Sequence, residues 1–321
     1  MNRLTDADRL PAGTTVATIG MFDGVHQGHA TLIEALKSEA HARGLQSLVV
    51  TFGQHPQHVL HGGGLKMLQT LEQRLSTLES FAPDHLAVLE FTRELSQLSS
   101  EDFMRLLRDR YGIAALIVGY NHRFGHNRNE TFADYVATGH RLGIDVIKAP
   151  EYLGEYAPVS STIVRGLIAS GKVDDAMHCM GRPYRLEGTV VHGFHNGRGI
   201  GFPTANIGQL DPSIILPHNG AYAVLVHVCG HTLQGMVNLG NRPTLHNGTH
   251  LSIEVNIFDF DDDIYGQPIA LDFIKFLRLE FKLGSIEELR AQLTRDRDKS
   301  RAILANINNE EQTSTHPVCS K

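Results

Sequence analysis

Residues 20–29 read GMFDGVHQGH, and they join an apolar run to a helical pattern. The run Thr15–Gly20 predicts a buried strand, and the apolar spacing of Ala30–Arg43 predicts a helix. Backbone amides and the dipole at such a helix start favour a bound phosphate. Gly28 lies between His26 and His29 and lets the backbone approach a ligand closely. The alternative is that both histidines only satisfy the helix start.

The rest of the first half continues this alternation of strands and helices. Strands are predicted at Leu48–Phe52, Leu86–Leu89, Ala114–Val118 and Ile144–Ile147, and helices at Leu71–Phe81, Glu101–Arg110 and Phe132–Leu142. Alternating elements of this length predict an α/β fold with a parallel sheet. Such sheets bind ligands at the carboxyl ends of their strands.

After Arg182-Pro183 the pattern changes to short strands separated by Gly, Asn and Pro, which predicts an antiparallel barrel or sandwich. These strands are Leu186–His192, Tyr222–Val228, Leu233–Val237, Ile253–Ile257 and Ile269–Phe276. A helix over Ile286–Ile307 closes the second half. We therefore predict a first domain at 1–180, a second at 181–308, and a disordered tail at 309–321.

Composition restricts the function classes. With 321 residues, 41% hydrophobic and 20% charged, the chain is typical of a soluble two-domain protein. It has no apolar run near the roughly 18 residues of a membrane span and no signal-peptide pattern, so we expect a cytoplasmic protein without a membrane partner. The net charge of −6 without a basic stripe argues against nucleic acid. Cys179, Cys229 and Cys319 are too scattered for a disulfide framework. Oligomeric state stays open.

A second polar motif, SSTIVR at 160–165, precedes a helical stretch. The hydroxyls of Ser160, Ser161 and Thr162 can cap that helix. They can equally bind ATP phosphates, with Arg165 neutralising developing charge.

The segment 55–61 reads HPQHVLH and raises the question of a metal site. His55, His58 and His61 could ligate zinc if they lay on a helix. Pro56 and the glycines at 62–64 favour a loop, so we interpret the three as surface histidines.

Residues 193–206 read GFHNGRGIGFPTAN within β-rich surroundings. Gly197, Gly199 and Gly201 free the backbone to wrap around phosphates. Thr204 and Asn206 are two residues apart in an extended segment, so their side chains face one way and offer hard oxygen ligands for a phosphate-bound Mg²⁺. The alternative is a polar strand end beside a turn.

The motifs at 20–29 and 160–165 resemble the signatures of the nucleotidyltransferase superfamily, and residues 199–206 resemble the riboflavin kinase signature. Later segments also match that kinase, namely NLGNRPT at 238–244, FDF at 258–260, IYG at 264–266 and LRLEFK at 277–282. Over about residues 14–300 the chain thus resembles bacterial bifunctional riboflavin kinase/FAD synthetases.

The resemblance implies a Rossmann-like nucleotidyltransferase domain followed by a β-barrel kinase domain. It implies phosphorylation of riboflavin to FMN, then adenylylation of FMN to FAD with release of pyrophosphate. ATP is the co-substrate of both steps, and Mg²⁺ or another divalent cation is expected. The binding partners are then riboflavin, FMN, FAD and ATP.

The resemblance also suggests a role for individual residues. It assigns the kinase base to Glu254, which strand alternation places on the face opposite Ile253, Val255 and Ile257; the alternative is a solvent-facing carboxylate. The expected site residues are catalytic His26, His29, Arg165 and Glu254; ATP or phosphate ligands Gly20, Phe22, Asp23, Gly28, Ser160, Ser161, Thr162, Gly197, Gly199 and Gly201; flavin contacts Asn121, Arg123, Phe124, Arg128 and Arg278; and metal ligands Thr204 and Asn206.

One departure from the family pattern leaves two other functions as alternatives. Gly53 and Gln54 stand where the family usually has an acidic residue and proline. This motivates a kinase whose first domain has lost adenylylation, although His26, His29 and Arg165 are present. A flavin-binding regulator without turnover is the other alternative. Glu254 argues against it, because binding alone needs no base.

Overall fold

The computed structural model describes residues 2–5, 8–119, 124–127, 129–193, 201–244, 248–280 and 284–313. The chain divides into two compact units, Met1–Ser161 and Thr162–Lys321. The sequence placed the boundary later, at 180/181. Helix α8 (Val173–Met180) belongs to the second unit because it packs against strands of that unit.

The first unit contains the predicted parallel sheet. Within the described residues the strand order is β1-β4-β3-β2-β5-β6, with every neighbouring pair parallel. Strand β2 pairs with β3 on one side and with β5 on the other, so the strand order changes direction at β2. Ligands of open α/β sheets bind at such a topological switch point. The strands are β1 Asn2–Leu4, β2 Thr15–Ile19, β3 Gln46–Phe52, β4 His85–Leu89, β5 Ile113–Val118 and β6 Asp145–Lys148.

Helices cover both faces of this sheet and bury two apolar clusters against it. One cluster includes Phe103, Leu107 and Tyr135, and the other includes Leu36 and Leu78. The helices are α1 Gln27–Arg43, α2 Pro56–His61, α3 Leu71–Ser80, α4 Arg93–Ser96, α5 Ser100–Tyr111 and α6 Phe132–Leu142.

The prediction of a loop at 55–61 was wrong, because Pro56–His61 forms helix α2. His55 is its N-cap, and its Nδ1 accepts a hydrogen bond from the Gln57 amide at 3.2 Å. Pro56 occupies the first turn, where a missing N–H costs nothing. Gly62 ends the helix with φ of 77°, a left-handed conformation that suits glycine. The residues interpreted as loop signals are helix caps.

The second unit is the predicted antiparallel barrel, closed in the order β10-β11-β8-β7-β12-β9. Its strands are β7 Tyr184–Val191, β8 Ala205–Gly208, β9 Gly220–Val228, β10 His231–Thr244, β11 Gly248–Ile257 and β12 Pro268–Arg278. Helices α7 (Ser161–Ala169), which begins at the unit boundary, and α8 precede the barrel, and helix α9 (Ile286–Thr313) follows it. Leu293, Ile303 and Leu304 of α9 pack on an apolar cluster of the barrel.

Helix α9 is longer than the sequence suggested. It continues past Ile307, where the sequence pattern ended it, to Thr313. Glu310 and Glu311 are good helix formers, and no Gly or Pro interrupts the chain before Pro317. Residues 314–321 lie outside the described part. In the described residues, no helix has the length and apolar character needed to cross a bilayer.

Candidate functional site

A cavity of about 390 Å³ opens at the carboxyl ends of the parallel strands in the first unit. It lies where β2, β3, β5 and β6 end, which is the edge where open α/β sheets bind ligands. Among its lining residues are seven of the predicted phosphate-site residues: Gly20, Phe22, His26, Gly28, His29, Ser160 and Ser161. The structure therefore brings both N-terminal motifs to one cavity.

The loop between β2 and α1 has an unusual backbone. Phe22 and Val25 have φ of 52° and 34°, and Gly24 has φ of 78°. Positive φ is costly for non-glycine residues, above all for β-branched valine. Both side chains are buried, with only 1% of their surface exposed, and this packing holds the loop in place. A strained backbone at a cavity is consistent with a ligand-binding role.

His26 and His29 form a stacked pair at the start of α1. Their ring centroids are 3.7 Å apart with an interplanar angle of 17°. His26 is the N-cap, and its Nδ1 accepts from the His29 amide at 3.4 Å. Phe22 packs edge-on against His29 at 5.1 Å. A Cβ on Gly28 would lie 3.3 Å from the His26 ring, so glycine gives this pair its room. The helix start and the imidazoles together suit an anionic ligand.

Asp23 supports this loop from beneath. Its carboxylate, 1% exposed, accepts hydrogen bonds from the amides of Leu68 and Gln69 at 3.0–3.3 Å. The Ser161 hydroxyl donates to the Asp23 carbonyl at 2.8 Å, which ties the second motif to the first. The Asp23 carboxylate thus ties the loop to residues 68–69, and its expected contact with ATP phosphates stays a prediction.

Arg74 of α3 lies beside the same loop and is 1% exposed. Its Nη2 donates to the carbonyl of Phe52, the last residue of β3 and part of the cavity wall. Burial lowers the pKa of Arg74 to about 10, and the charge of Asp23 partly opposes that shift. Arg74 therefore stays charged at neutral pH.

Thr162 and Arg165 belong to the second compact unit and lie on α7. Arg165 Nη2 is 3.4 Å from the Thr162 hydroxyl. Their expected roles at the ATP phosphates stay predictions.

Of the expected flavin contacts in the first unit, Phe124 lies in the core. It stacks on Tyr135 with centroids 4.4 Å apart, and it packs against Phe103. With 8% of its surface exposed, its side chain packs in the core of the first unit. Its expected contact with the flavin stays a prediction. Asn121, Arg123 and Arg128 lie outside the described residues.

Sequence reasoning missed other residues of the cavity wall, including His55, Glu151 and Tyr152. Glu151 and Tyr152 follow β6, so the rule that ligands bind where parallel strands end could have found them. His55 was considered only as a zinc ligand. In the described part of the chain, no group of three His, Cys, Asp or Glu residues could hold a metal.

The second unit gathers a polar cluster on one side of β11. Glu254 accepts hydrogen bonds from the Ser252 hydroxyl at 2.9 Å and from the Thr204 hydroxyl at 3.4 Å. Asn206 of β8 lies directly opposite Glu254 in the ladder. A Cβ on Gly193 would clash with the Asn206 carboxamide, so the chain passes close to it. The structure therefore brings the predicted base and both predicted metal ligands together.

A cavity of about 100 Å³ lies next to this cluster. Thr204 borders it together with apolar Val190 and Ile257 and the aromatic Tyr265. His192 stacks on Tyr265 at 4.1 Å. Asp261, Asp262 and Asp263 also line this cavity, so its walls combine apolar, aromatic and acidic side chains.

Arg278, the expected flavin contact of the second unit, is paired with the closing helix. Its Nε and Nη2 lie 2.9 and 2.8 Å from Oδ2 of Asp296, which is buried. Gly201 is exposed, with φ of 81°. Gly197 and Gly199 lie outside the described residues.

Comparison with known proteins identifies the family of both units. A family model described as FAD synthetase matches residues 10–163, and one described as riboflavin kinase matches residues 180–304. The bifunctional riboflavin kinase/FMN adenylyltransferase of Listeria monocytogenes is 35% identical over 91% of this chain and 93% of its own. That of Haemophilus influenzae is 33% identical over 94% and 97%. The chain belongs to the bifunctional riboflavin kinase/FMN adenylyltransferase family.

A solved structure supports the whole fold. It is named a macrolide-efflux protein from Streptococcus pneumoniae, and it matches with a TM-score of 0.82 at 28% identity. The match covers 92% of this chain and 96% of that one. The FAD synthetase match contains the cavity of the first unit, and the riboflavin kinase match contains Glu254 and its neighbours. The family resemblance inferred from the motifs is confirmed.

Proposed function

We propose that this chain carries out both reactions of its family, phosphorylating riboflavin to FMN and then adenylylating FMN to FAD. The observation that carries the proposal is the presence of two phosphate-suited sites, one in each unit, each within its own family match. ATP is the co-substrate of both reactions. The efflux activity in the name of the pneumococcal structure is not proposed, because the matching family models describe flavin chemistry.

In the adenylylation step, a phosphate oxygen of FMN attacks the α-phosphorus of ATP and expels pyrophosphate. A phosphate monoester has a second pKa of about 6, so the nucleophile is already ionised and needs no strong base. Positioning and charge stabilisation then supply most of the acceleration. We assign this work to His26, His29 and the amides that begin α1, with Ser161 ordering the loop. Arg165 is assigned to the developing phosphate charge.

In the kinase step, the nucleophile is the neutral 5′-hydroxyl of riboflavin, which must lose its proton. We assign the general base to Glu254. The Ser252 and Thr204 hydroxyls fix the carboxylate by donating to its two oxygens.

A divalent cation fits the donor set of the second site. The Thr204 hydroxyl, the Asn206 carboxamide and the Glu254 carboxylate offer only hard oxygens, which Mg²⁺ prefers. Thr204 and Asn206 would hold the ion on the ATP phosphates. When bound, it would neutralise charge on the transferred phosphoryl group.

One reaction mixture tests the proposal against its alternatives. The full chain is incubated with riboflavin, ATP and Mg²⁺, and flavins are separated by chromatography. We expect FAD with transient FMN. Accumulation of FMN alone would favour a kinase with an inactive first unit, and unchanged riboflavin would favour a flavin-binding regulator. A parallel mixture with FMN in place of riboflavin measures the adenylylation step alone.

A further inference from the structure

Residues 202–204 lead into strand β8 at the kinase site, and they lie before the point where its hydrogen-bond ladder with β11 begins. Strand β8 pairs with β11 through Ala205↔Val255 and Asn206↔Glu254, and this ladder ends at Ala205. Pro203 lies two residues before Ala205, and proline has no N–H with which to extend the ladder. Another contact must therefore set the direction of the chain just before Thr204.

Asn256 supplies that contact. Its side-chain Nδ2 donates to the Pro203 carbonyl at 2.7 Å, and only 7% of its surface is exposed. Asn256 lies two residues after Glu254 on β11, so both side chains leave the same face of the strand. The carboxamide thus fixes the Pro203 carbonyl, and with it the peptide that enters β8.

The residue before Pro203 is held as well. Phe202 is 5% exposed and packs in the apolar cluster that includes Leu304 of α9. The Arg297 guanidinium lies over its ring, 5.6 Å from the centroid. Phe202 anchors the segment by packing, and the bond from Asn256 orients the peptide that leads into Thr204.

We propose that Asn256 is a positioning residue of the kinase site, which holds Thr204 within reach of Glu254 and of a phosphate-bound cation. The inference rests on the proposed kinase function. Asn256 does not touch the reacting atoms in this assignment and acts through the Pro203 carbonyl. Without its bond, the Thr204 hydroxyl loses its fixed place 3.4 Å from Glu254.

Asn256→Asp in the full chain tests this, because it keeps the size and replaces the donor by an acceptor. A misplacement near 1 Å can cost ~10²-fold in rate, so we expect kcat/KM for Mg·ATP to fall about 10- to 100-fold. The Mg²⁺ concentration giving half-maximal rate should rise, while KM for riboflavin stays within about twofold. FAD formation from supplied FMN should not change. Asn256→Ser, which shortens the donor, should behave in the same way if the aspartate variant folds poorly.

A second readout does not depend on turnover. Hydrogen exchange, followed by mass spectrometry over residues 201–208, should be faster in both Asn256 variants than in the parent. Addition of Mg²⁺ and ADP should slow this exchange in the parent and much less in the variants. These measurements report the position of the segment directly.

The matched control is Asp272→Asn, which alters an equally buried polar side chain on another strand of the barrel. Asp272 is 7% exposed and pairs with Arg185 and His227. Its loss should lower Tm and leave kinase kinetics and exchange at 201–208 unchanged. Parent-like kinetics in the Asn256 variants, or equal kinetic losses in the control, would overturn the inference. If the parent makes no FMN, the proposed function fails, and the exchange data still decide whether Asn256 orders the segment.

Discussion

The hydroxyl of Thr204 lies 3.4 Å from Oε2 of Glu254, although the two residues are 50 positions apart in sequence. The Ser252 hydroxyl bonds the other carboxylate oxygen at 2.9 Å. The two hydroxyls therefore hold both oxygens of the Glu254 carboxylate in one orientation.

Replacing Glu254 by glutamine should slow the kinase step. Glu254→Gln keeps the size of the side chain and removes its ability to accept a proton. General-base assistance contributes ~10²–10⁴ in rate, so kcat for FMN formation should fall within that range. Affinities for ATP and riboflavin should change little, because the base acts in the transition state. Initial rates with saturating riboflavin and ATP measure this.

Glu187→Gln is the matched control, since Glu187 is exposed on β7 of the same barrel. It should leave both rates unchanged. FAD formation from FMN should also stay near normal in the Glu254 variant, because that step starts from an ionised phosphate. A fall of less than about fivefold in FMN formation would mean that another group or solvent takes the proton.

Replacing His29 by alanine should affect the other reaction. His29→Ala removes one imidazole of the stacked pair that lines the cavity of the first unit. Loss of one charge-stabilising donor typically costs ~10²–10³ in rate, so FAD formation should fall by that factor. FMN formation from riboflavin should be retained. His41→Ala, at an exposed position of the same helix, is the control. Parent-level FAD formation in the His29 variant would remove this histidine from the mechanism.

The helices and strands could be predicted because hydrophobic periodicity and turn residues are features of short sequence segments. Phe132–Leu142 was predicted with the observed bounds. The short strands predicted an antiparallel barrel or sandwich, and the structure has the barrel. Strand β8 (Ala205–Gly208) was missed because its four residues, with Asn and Gly among them, are too few for a strand pattern. Helix α2 was missed because Pro56 and Gly62 serve as caps as readily as loop residues.

The sequence predicted which residues belong to the two sites, but it did not predict the hydrogen bonds among them. Asp23 was expected to face ATP, yet its carboxylate bonds the Leu68 amide 45 residues away. Such a long-range contact has no local signal. The same holds for Asn256 and Pro203, which are 53 residues apart and meet only because β11 and β8 share a ladder.

The extent of the second unit can be tested with two fragments. Helix α8 buries Val173, Ala176 and Met180, and Asp174 forms a salt bridge with Lys275 of β12. Burial of a large apolar side chain contributes roughly 1.5–3 kcal/mol, so α8 should stabilise the barrel by several kcal/mol. A fragment of residues 162–321 should therefore have a clearly higher Tm than one of residues 181–321.

Both fragments should phosphorylate riboflavin well below their Tm, because Thr204, Asn206 and Glu254 lie within the barrel. Circular dichroism melts and FMN formation are the measurements. Equal Tm values would show that α8 contributes nothing to the barrel. A folded 162–321 fragment without kinase activity would show that the first unit contributes to that site.

The last prediction concerns Arg74, whose buried guanidinium lies under the first cavity. Its Nη2 bonds the Phe52 carbonyl, and its Nε has no hydrogen-bond partner among the described residues. Arg74→Met keeps the length and removes the donor that binds the Phe52 carbonyl. A buried carbonyl left without its donor typically costs about 1–3 kcal/mol, so the first unit should unfold at a lower temperature. Below that temperature, FAD formation should still fall, because Phe52 borders the cavity.

Arg74→Lys distinguishes the effect of the positive charge from that of the hydrogen-bond geometry, because lysine keeps a cation but lacks the planar guanidinium. It should recover stability more fully than FAD formation. Arg105→Met, at an exposed position of α5, controls for loss of an arginine in the same unit, and FMN formation controls for the second unit. If Arg74→Met made FAD at the parent rate, the strand end at Phe52 would not need this bond. In that case the buried guanidinium would serve the stability of the first unit alone.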